Sequence, residues 1–451
     1  MSVQPLPTQA ADDVARSNSH DSMCHPFYVL LLFFVCFAFS YLDRQVISIL
    51  VQPIKQSLGL TDTQIGLLQG FSFTMCYATA GVFVARLVDR GNRVKLISVC
   101  IAIWAVSTTA CGFATNFTEL LFARAGTAVA EAALSPAALS IFSDIFAPRR
   151  VTRASSVFML GPYVGGGLAL FGGGMLLSHE AGGNGWLAAH GFAPWQMVFV
   201  AVGLPGFLLA ALVALTVREP ARLEIRADAA HEQDQMPSLK DVLAELFVRN
   251  RFCLPYFAAY VALITLFYSH AAWFPTLLIR HFGLAPKVVG QIAAPAYMIG
   301  GMLGVACAGW LATGVTDDRT LRRVLGFSAC AVALLVPAAV AMPLVGESSV
   351  AVLLYGICAF TASIAMGLAP VPLQIAMPNR MRGRSLALLV FMTNAISGGV
   401  GPLSVGYLNE RLGQTGATLG TALALVGATS ALVSAILYAV ATLRVPAAKT
   451  C

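Results

Sequence analysis

Twelve apolar stretches, each long enough to cross a bilayer, decide what this chain can fold into. They lie near 27–50, 62–88, 94–113, 117–143, 152–178, 195–217, 253–279, 288–313, 321–343, 348–377, 385–409 and 417–443. About 20 apolar residues suffice to span the hydrocarbon core. A backbone in lipid must satisfy its own hydrogen bonds, so stretches of this length form helices. Composition agrees: 58% of residues are apolar and 11% charged, against about 25% charged in an ordinary soluble domain. A soluble enzyme, a secreted disulfide scaffold and a nucleic-acid binder are excluded. The expected fold is an all-α membrane protein with twelve transmembrane helices in two pseudo-symmetric six-helix bundles.

The division is set by one long polar segment. Residues 1–26 read as a cytosolic tail, 27–217 as an N-terminal six-helix bundle, 218–252 as a cytosolic linker, 253–443 as a C-terminal six-helix bundle and 444–451 as a second cytosolic tail. In the linker, Ser238 precedes Leu239, Val242, Leu243, Leu246 and Phe247, with Asp241 three residues on. That is a helix start signal followed by an apolar stripe, and a short helix lying on the cytosolic membrane face is expected.

The net charge of +7 is distributed to one side. Arg86, Arg90, Arg93 and Lys95 fall between stretches 2 and 3, and Arg149, Arg150 and Arg153 between 4 and 5. Arg218, Arg222, Arg226, Lys240, Arg249 and Arg251 are in the linker. Arg319, Arg322 and Arg323 fall between 8 and 9, and Arg380, Arg382 and Arg384 between 10 and 11. The opposite connections hold Lys55, Arg280, Lys287 and Arg411. The positive-inside rule then puts both termini in the cytosol, and the alanine-rich composition suits a bacterial inner membrane. The ten cysteines lack CxxC spacing and sit mostly inside apolar runs, so they serve as small packing residues. No metal or cofactor is expected.

The halves repeat one another. Stretch 4 ends in Pro148-Arg149-Arg150 and stretch 5 carries Gly161-Pro162; stretch 10 ends in Pro378-Asn379-Arg380 and stretch 11 carries Gly401-Pro402. Asp89-Arg90 has a weaker echo in Asp317-Asp318-Arg319. A six-plus-six duplication is the architecture of secondary transporters, which bind between their halves.

Charges inside lipid are costly and mark function. Asp43 and Arg44 lie in stretch 1, Arg124 and Glu131 in stretch 4, and His270 in stretch 7. Arg124 and Glu131 are two helical turns apart and share a face, whereas Asp43 and Arg44 point about 100° apart. An arrangement with Asp43 and Glu131 each beside an arginine satisfies all four. A carboxyl so placed can carry a proton, since desolvation favours its neutral form and a guanidinium its charged one. Arg44 and Arg124 could hold an anionic group. His270 reads as an interfacial residue beside an aromatic belt. The small residues of stretch 5 (Gly161, Gly165, Gly166) let helices approach closely, and Pro162 bends the helix. Walker, HExxH and GxSxG sequences are absent from the chain, which argues against ATP-driven or hydrolytic chemistry.

Ala85-Arg86-Leu87-Val88-Asp89-Arg90-Gly91-Asn92-Arg93 resembles the loop 2–3 signature of the major facilitator superfamily, with Ala85 where that pattern has glycine. Gly161-Pro162 with Gly165-Gly166 resembles its span 5 motif. Tyr41-Leu42-Asp43-Arg44, Arg124 through Pro136 and Ser143-Asp144 are similar to the spinster-like branch, while Trp195-Gln196 departs from its Trp-Arg pair. The resemblance implies that Asp43 is the protonation site, that Arg44, Arg124 and Glu131 are its partners or line the substrate cavity, and that Asp89, Arg90, Arg93 and Asp144 form a cytosolic gate. Asp89 would meet the N-terminus of stretch 11 just past Arg384, where the helix dipole favours an acid. It further implies a monomeric, proton-coupled secondary transporter working by alternating access. The favoured substrate is an amphiphilic anion such as a lysolipid or sphingoid lipid; the alternative is a small organic acid.

Overall fold

The computed structural model describes residues 25–181, 191–222, 238–312 and 318–445. Most of both expected tails, Arg226, the Gly-rich connection before Ala193, and Asp317 with the side chains of Asp318, Arg319 and Arg149 lie outside the described residues. Twelve helices among them are long and apolar enough to cross a membrane: Pro26–Leu58, Asp62–Arg90, Arg93–Cys111, Phe117–Ile145, Arg150–Glu180, Pro194–Thr216, Cys253–Phe282, Pro286–Leu311, Thr320–Ala341, Ser348–Ala376, Asn379–Leu412 and Gly416–Arg444, here spans 1 to 12.

Several spans run past their apolar stretches. Span 1 continues to Leu58 through Gln52 and Lys55, and span 11 starts at Asn379. Hydropathy ends where polar residues begin, but the helix continues until a cap stops it. Gly59 (φ +63°) closes span 1 and Gly283 (φ +66°) span 7, both in the left-handed conformation that glycine adopts without penalty. Thr61 and Thr415 make capping boxes for spans 2 and 12, and Asn92 and Asn116 cap spans 3 and 4. These caps satisfy amides that have no partner inside the helix.

Two spans break at equivalent places. Span 4 loses its regular turn between Glu131 and Leu134, because Pro136 has no N–H to give the carbonyl four residues back. Span 10 breaks at Ala369, next to Pro370 and Pro372. The duplication read from the sequence is therefore also a duplication of helix defects.

With an even number of spans, the start of span 1 and the end of span 12 fall on one face, together with the basic loops; we call this the basic face and the other the far face. The core is arranged unequally between them. Near the far face one cluster is shared by both halves, joining Val46, Ile49 and Leu50 of span 1 to Trp273, Leu277 and Val289. Near the basic face the halves pack separately, one around Phe33, Phe142 and Phe158 and the other around Tyr256, Leu325 and Tyr438. The two bundles thus join at one end and part at the other.

The linker helix is present, with Ser238 capping it and accepting from the Asp241 amide. That same hydroxyl holds the Asp241 carboxyl below the usual range. Val242 and Leu246 are fully buried in the core at the basic end of the C-terminal half, with Cys253, Tyr256 and Leu389, and Phe247 packs on Phe257. Leu243 of the same stripe stays exposed.

Candidate transport site

Span 1 passes through the middle of the molecule and carries the acid. Asp43 is fully buried, and Arg124 of span 4 reaches it from the side. Nη1 of Arg124 donates to Asp43 Oδ2 at 3.4 Å and to the Asp43 carbonyl at 3.3 Å, while Nη2 meets the Arg44 carbonyl at 3.5 Å. One guanidinium thus ties its partner's carboxylate and main chain together, a fork geometry that lysine does not have. Glu131 lies beside Asp43 and within electrostatic reach of Arg44 and Arg124, although among the described residues it makes no direct ion pair with either. Its Oε1 and Asp43 Oδ1 are both buried acceptors without a donor. Span 3 contributes two groups that sequence reasoning passed over, Trp104 and Thr108, which face Asp43 and are themselves buried donors without a closed hydrogen bond. An indole or a hydroxyl inside an apolar run gives no contrast by which to find it.

Arg44 turns away from Asp43, as the helical rotation requires. Its guanidinium carbon lies 4.4 Å from the Phe73 ring centroid, 5.0 Å from Tyr77 and 5.4 Å from Tyr41. Arg124 approaches the same Phe73 ring at 5.0 Å. Aromatic faces stabilise a cation by about 0.5–2 kcal/mol without neutralising it, and Nη2 of Arg44 keeps a proton with no acceptor. Tyr268 of span 7 sits within electrostatic reach of Arg44, so this cation faces the opposite half.

His270 is not interfacial. It is 3% exposed, inside the C-terminal half.

Gly161 and Gly165 of span 5 press against span 1, where a Cβ on Gly165 would overlap the Ala38 carbonyl at 2.0 Å. Gly166 faces the opposite way, and a Cβ there would meet the Tyr297 ring of span 8 at 2.7 Å. Pro162 lies just after the break at Met159–Leu160. Span 5 is therefore a slender spacer between the two halves.

The far face is closed by an ion network between spans of both halves. Asp62, fully buried at the start of span 2, accepts from Lys55 Nζ at 2.8 Å, Arg280 Nη1 at 2.8 Å, Arg280 Nη2 at 2.9 Å and Asn409 Nδ2 at 2.6 Å. Arg280 Nε also donates to Gln52 at 2.7 Å. Four spans of both halves converge on one carboxylate. Arg280 and Asn409 lie 218 and 347 positions from Asp62, too far for any spacing pattern to connect them. Below this network, Thr276 donates to the Ser48 carbonyl at 3.2 Å and Gln45 to the Ala271 carbonyl at 2.5 Å.

On the basic face, the expected gate residues divide. Arg93 is buried and bonds Asp144 at 2.5 Å and Ser140 at 2.9 Å within the N-terminal half, and Glu219 of the linker at 2.7 Å. Asp89 and Arg90 are exposed. Arg222, unmarked in the sequence, caps span 2 by donating to the carbonyls of Val88 at 2.7 Å, Gly91 at 2.6 Å and Asp89.

Two packed bundles, an acid buried beside an arginine within the first and a sealed far end are the geometry of an alternating-access carrier. The sequence model of the major facilitator superfamily matches residues 33–402. The chain belongs to the major facilitator superfamily. A major facilitator efflux pump of Mycolicibacterium smegmatis is 30% identical over 90% of each chain. A probable L-galactonate transporter of Escherichia coli K12 is 24% identical, covering 84% of this chain and 82% of that one. The protein spinster of Drosophila melanogaster is 24% identical over 84% of this chain and 61% of its own. Among solved structures, a bacterial homologue of the human lysosomal transporter Spinster, in an inward-facing and unoccupied conformation, superposes with a TM-score of 0.73 at 24% identity, covering 93% of this chain and 96% of that one. The spinster-like resemblance of the span 1 and span 4 motifs agrees with these relatives. The protein is a multi-pass membrane transporter of this superfamily and not an enzyme.

Proposed function

We propose that the chain is a proton-coupled secondary transporter of an amphiphilic anion. One observation carries the reading: a fully buried carboxylate, Asp43, shares its arginine with the main chain and leaves Oδ1 open, while Arg44 beside it is a caged cation with a free donor. A proton arriving at Asp43 weakens its hold on Arg124, and an anion arriving at Arg44 supplies the missing acceptor. The open acceptor on Glu131 gives the proton a second resting place. The aromatic walls of Tyr41, Phe73 and Tyr77 suit an apolar tail, as the spinster-like resemblance implies for lysolipids and sphingoid lipids.

In this reading the basic face is cytosolic, the membrane is a bacterial inner membrane, and the protein works as a monomer. Asp89, Arg90, Arg93 and Asp144 form the gate of that face. When it closes, Asp89 meets the N-terminus of span 11, where the helix dipole favours a negative charge. A membrane potential adds about 2.3 kcal/mol per charge moved through 100 mV.

Asp43→Asn keeps the shape of the side chain and removes its proton. In proteoliposomes the variant should fold and lose uptake driven by a proton gradient. Full transport with an unchanged pH response would remove Asp43 from the mechanism.

A second reading, a small organic acid as substrate, is favoured by the relatives named for galactonate, hexuronate and galactarate or glucarate transport. Competition between lysolipids and small carboxylates for one labelled substrate on purified protein separates the two.

A further inference from the structure

A small cavity inside the C-terminal half stands apart from the charged cluster. His270 and Ala271 of span 7, Tyr297 of span 8, and Tyr355 and Cys358 of span 10 line it. It has room for about one water-sized group. His270 and Tyr355 are each 3% exposed. Neither ring nitrogen of His270 has a hydrogen-bond partner, and neither does the Tyr355 hydroxyl. Buried polar groups in native proteins are nearly always paired, and each orphan asks for a reason. Nearby groups show what satisfaction looks like: the Tyr163 hydroxyl is hydrogen-bonded to Ser363 at 2.9 Å.

Packing holds both groups in place. Phe274, one turn beyond His270, stacks on Tyr355 with centroids 4.1 Å apart. Span 12 has glycine at 427, where any Cβ would come within 2.8 Å of His270 Nε2. One wall of the cavity is tied to span 1, because the Ala271 carbonyl accepts from Gln45, the neighbour of Arg44.

We infer that this cavity is a second substrate subsite, which takes one hydroxyl group between the His270 imidazole and the Tyr355 phenol. The group belongs to the polar end of the transported molecule, whose anionic part sits at Arg44; the inference therefore rests on the anion reading above. A resident water offers the same O–H chemistry, and the test separates the two sources.

The full chain is purified in detergent, and binding of two matched probe pairs is measured by thermal shift titration: 6-hydroxyhexanoate against hexanoate, and lysophosphatidate against its 2-deoxy analogue. In the unsubstituted protein, the hydroxylated member of the pair that binds should bind about threefold to tenfold tighter, the range of one net hydrogen bond. His270→Leu and Tyr355→Phe should each erase that preference and leave the deoxy member's affinity unchanged. Arg44→Gln should weaken both members alike. Equal affinity for the two members in the unsubstituted protein, with both cavity variants less stable when empty, assigns the cavity to a structural water and overturns the inference alone. A preference that survives both variants also overturns it. If no probe binds, the anion reading falls, and the subsite falls with it.

Discussion

Asp43 and Arg44 are adjacent in the chain yet serve different partners, and the angle between them is the reason. Asp43 turns to Arg124 and Arg44 to the ring of Phe73, so a rotation of about 100° separates the acid from the cation. This much was legible in the sequence, because a charge in an apolar run stands out and helical rotation fixes where it points. The nearest partner of Glu131 was not legible, because two turns from Arg124 give it a shared face, whereas whether the Asp43 carboxyl or a guanidinium lies nearest to it is decided by packing between spans. The role of Arg124 is open to a sharper test than charge removal. Its two terminal nitrogens make three contacts, to Asp43 Oδ2, the Asp43 carbonyl and the Arg44 carbonyl, and an ammonium cannot reproduce that fork. Arg124→Lys should therefore leave the protein folded and slow counterflow of labelled substrate by about tenfold or more, the equivalent of one charge-assisted hydrogen bond. A variant with the parental rate would show that positive charge alone is needed.

Elements carry the movement, and the defects in them show where. Span 2 has a wide turn at Leu67–Phe71 and span 11 another at Thr393–Ser397. Such turns concentrate at functional positions because they loosen the backbone ladder. The two spans touch near these turns: a Cβ on Gly70 would fall 2.6 Å from the Gly398 carbonyl, and one on Gly66 2.7 Å from that of Pro402. Glycine is needed there for close approach, and close approach is what lets the far face seal. The seal itself hangs on Asp62. Asp62→Asn keeps the size and removes the charge that gathers Lys55 and Arg280. Losing one partner of a buried ion pair costs about 3–5 kcal/mol, and here that cost falls on the sealed conformation and spares the opened one. Labelling of Ser48→Cys by an impermeant maleimide, in a background without native cysteines, should speed up by tenfold or more when Asp62→Asn is added. An unchanged rate would mean that apolar packing alone closes the far face. Sequence reasoning could not have reached this network. Lys55 was visible as a loop charge, but a carboxylate at a helix start looks like an ordinary cap until distant spans are folded onto it.

In the molecule as a whole the halves share one core at the far end and pack in separate cores toward the basic end, and that asymmetry defines a conformation. Hydropathy and the repeated Gly-Pro and Pro-basic motifs made the twelve spans and their six-plus-six division readable, because length and duplication are properties of the chain. Which end is joined is a property of packing between halves, and the sequence is compatible with either end. A carrier must visit both arrangements, since a substrate leaves by a face other than the one it entered. The joined end must therefore part, and the seam between spans 1 and 7 is where it does so. Ser48 and Thr276 meet across that seam, with the threonine hydroxyl 3.2 Å from the serine carbonyl. Cysteines at both positions, joined by a short reducible crosslinker, hold the seam shut and leave the basic end untouched. The crosslinked protein should still bind substrate from the basic face but should transport less than about a tenth as much, and reduction of the link should restore the rate. Continued turnover with the link intact would mean that the two bundles need not separate along span 1, and the rocking movement would have to be sought elsewhere.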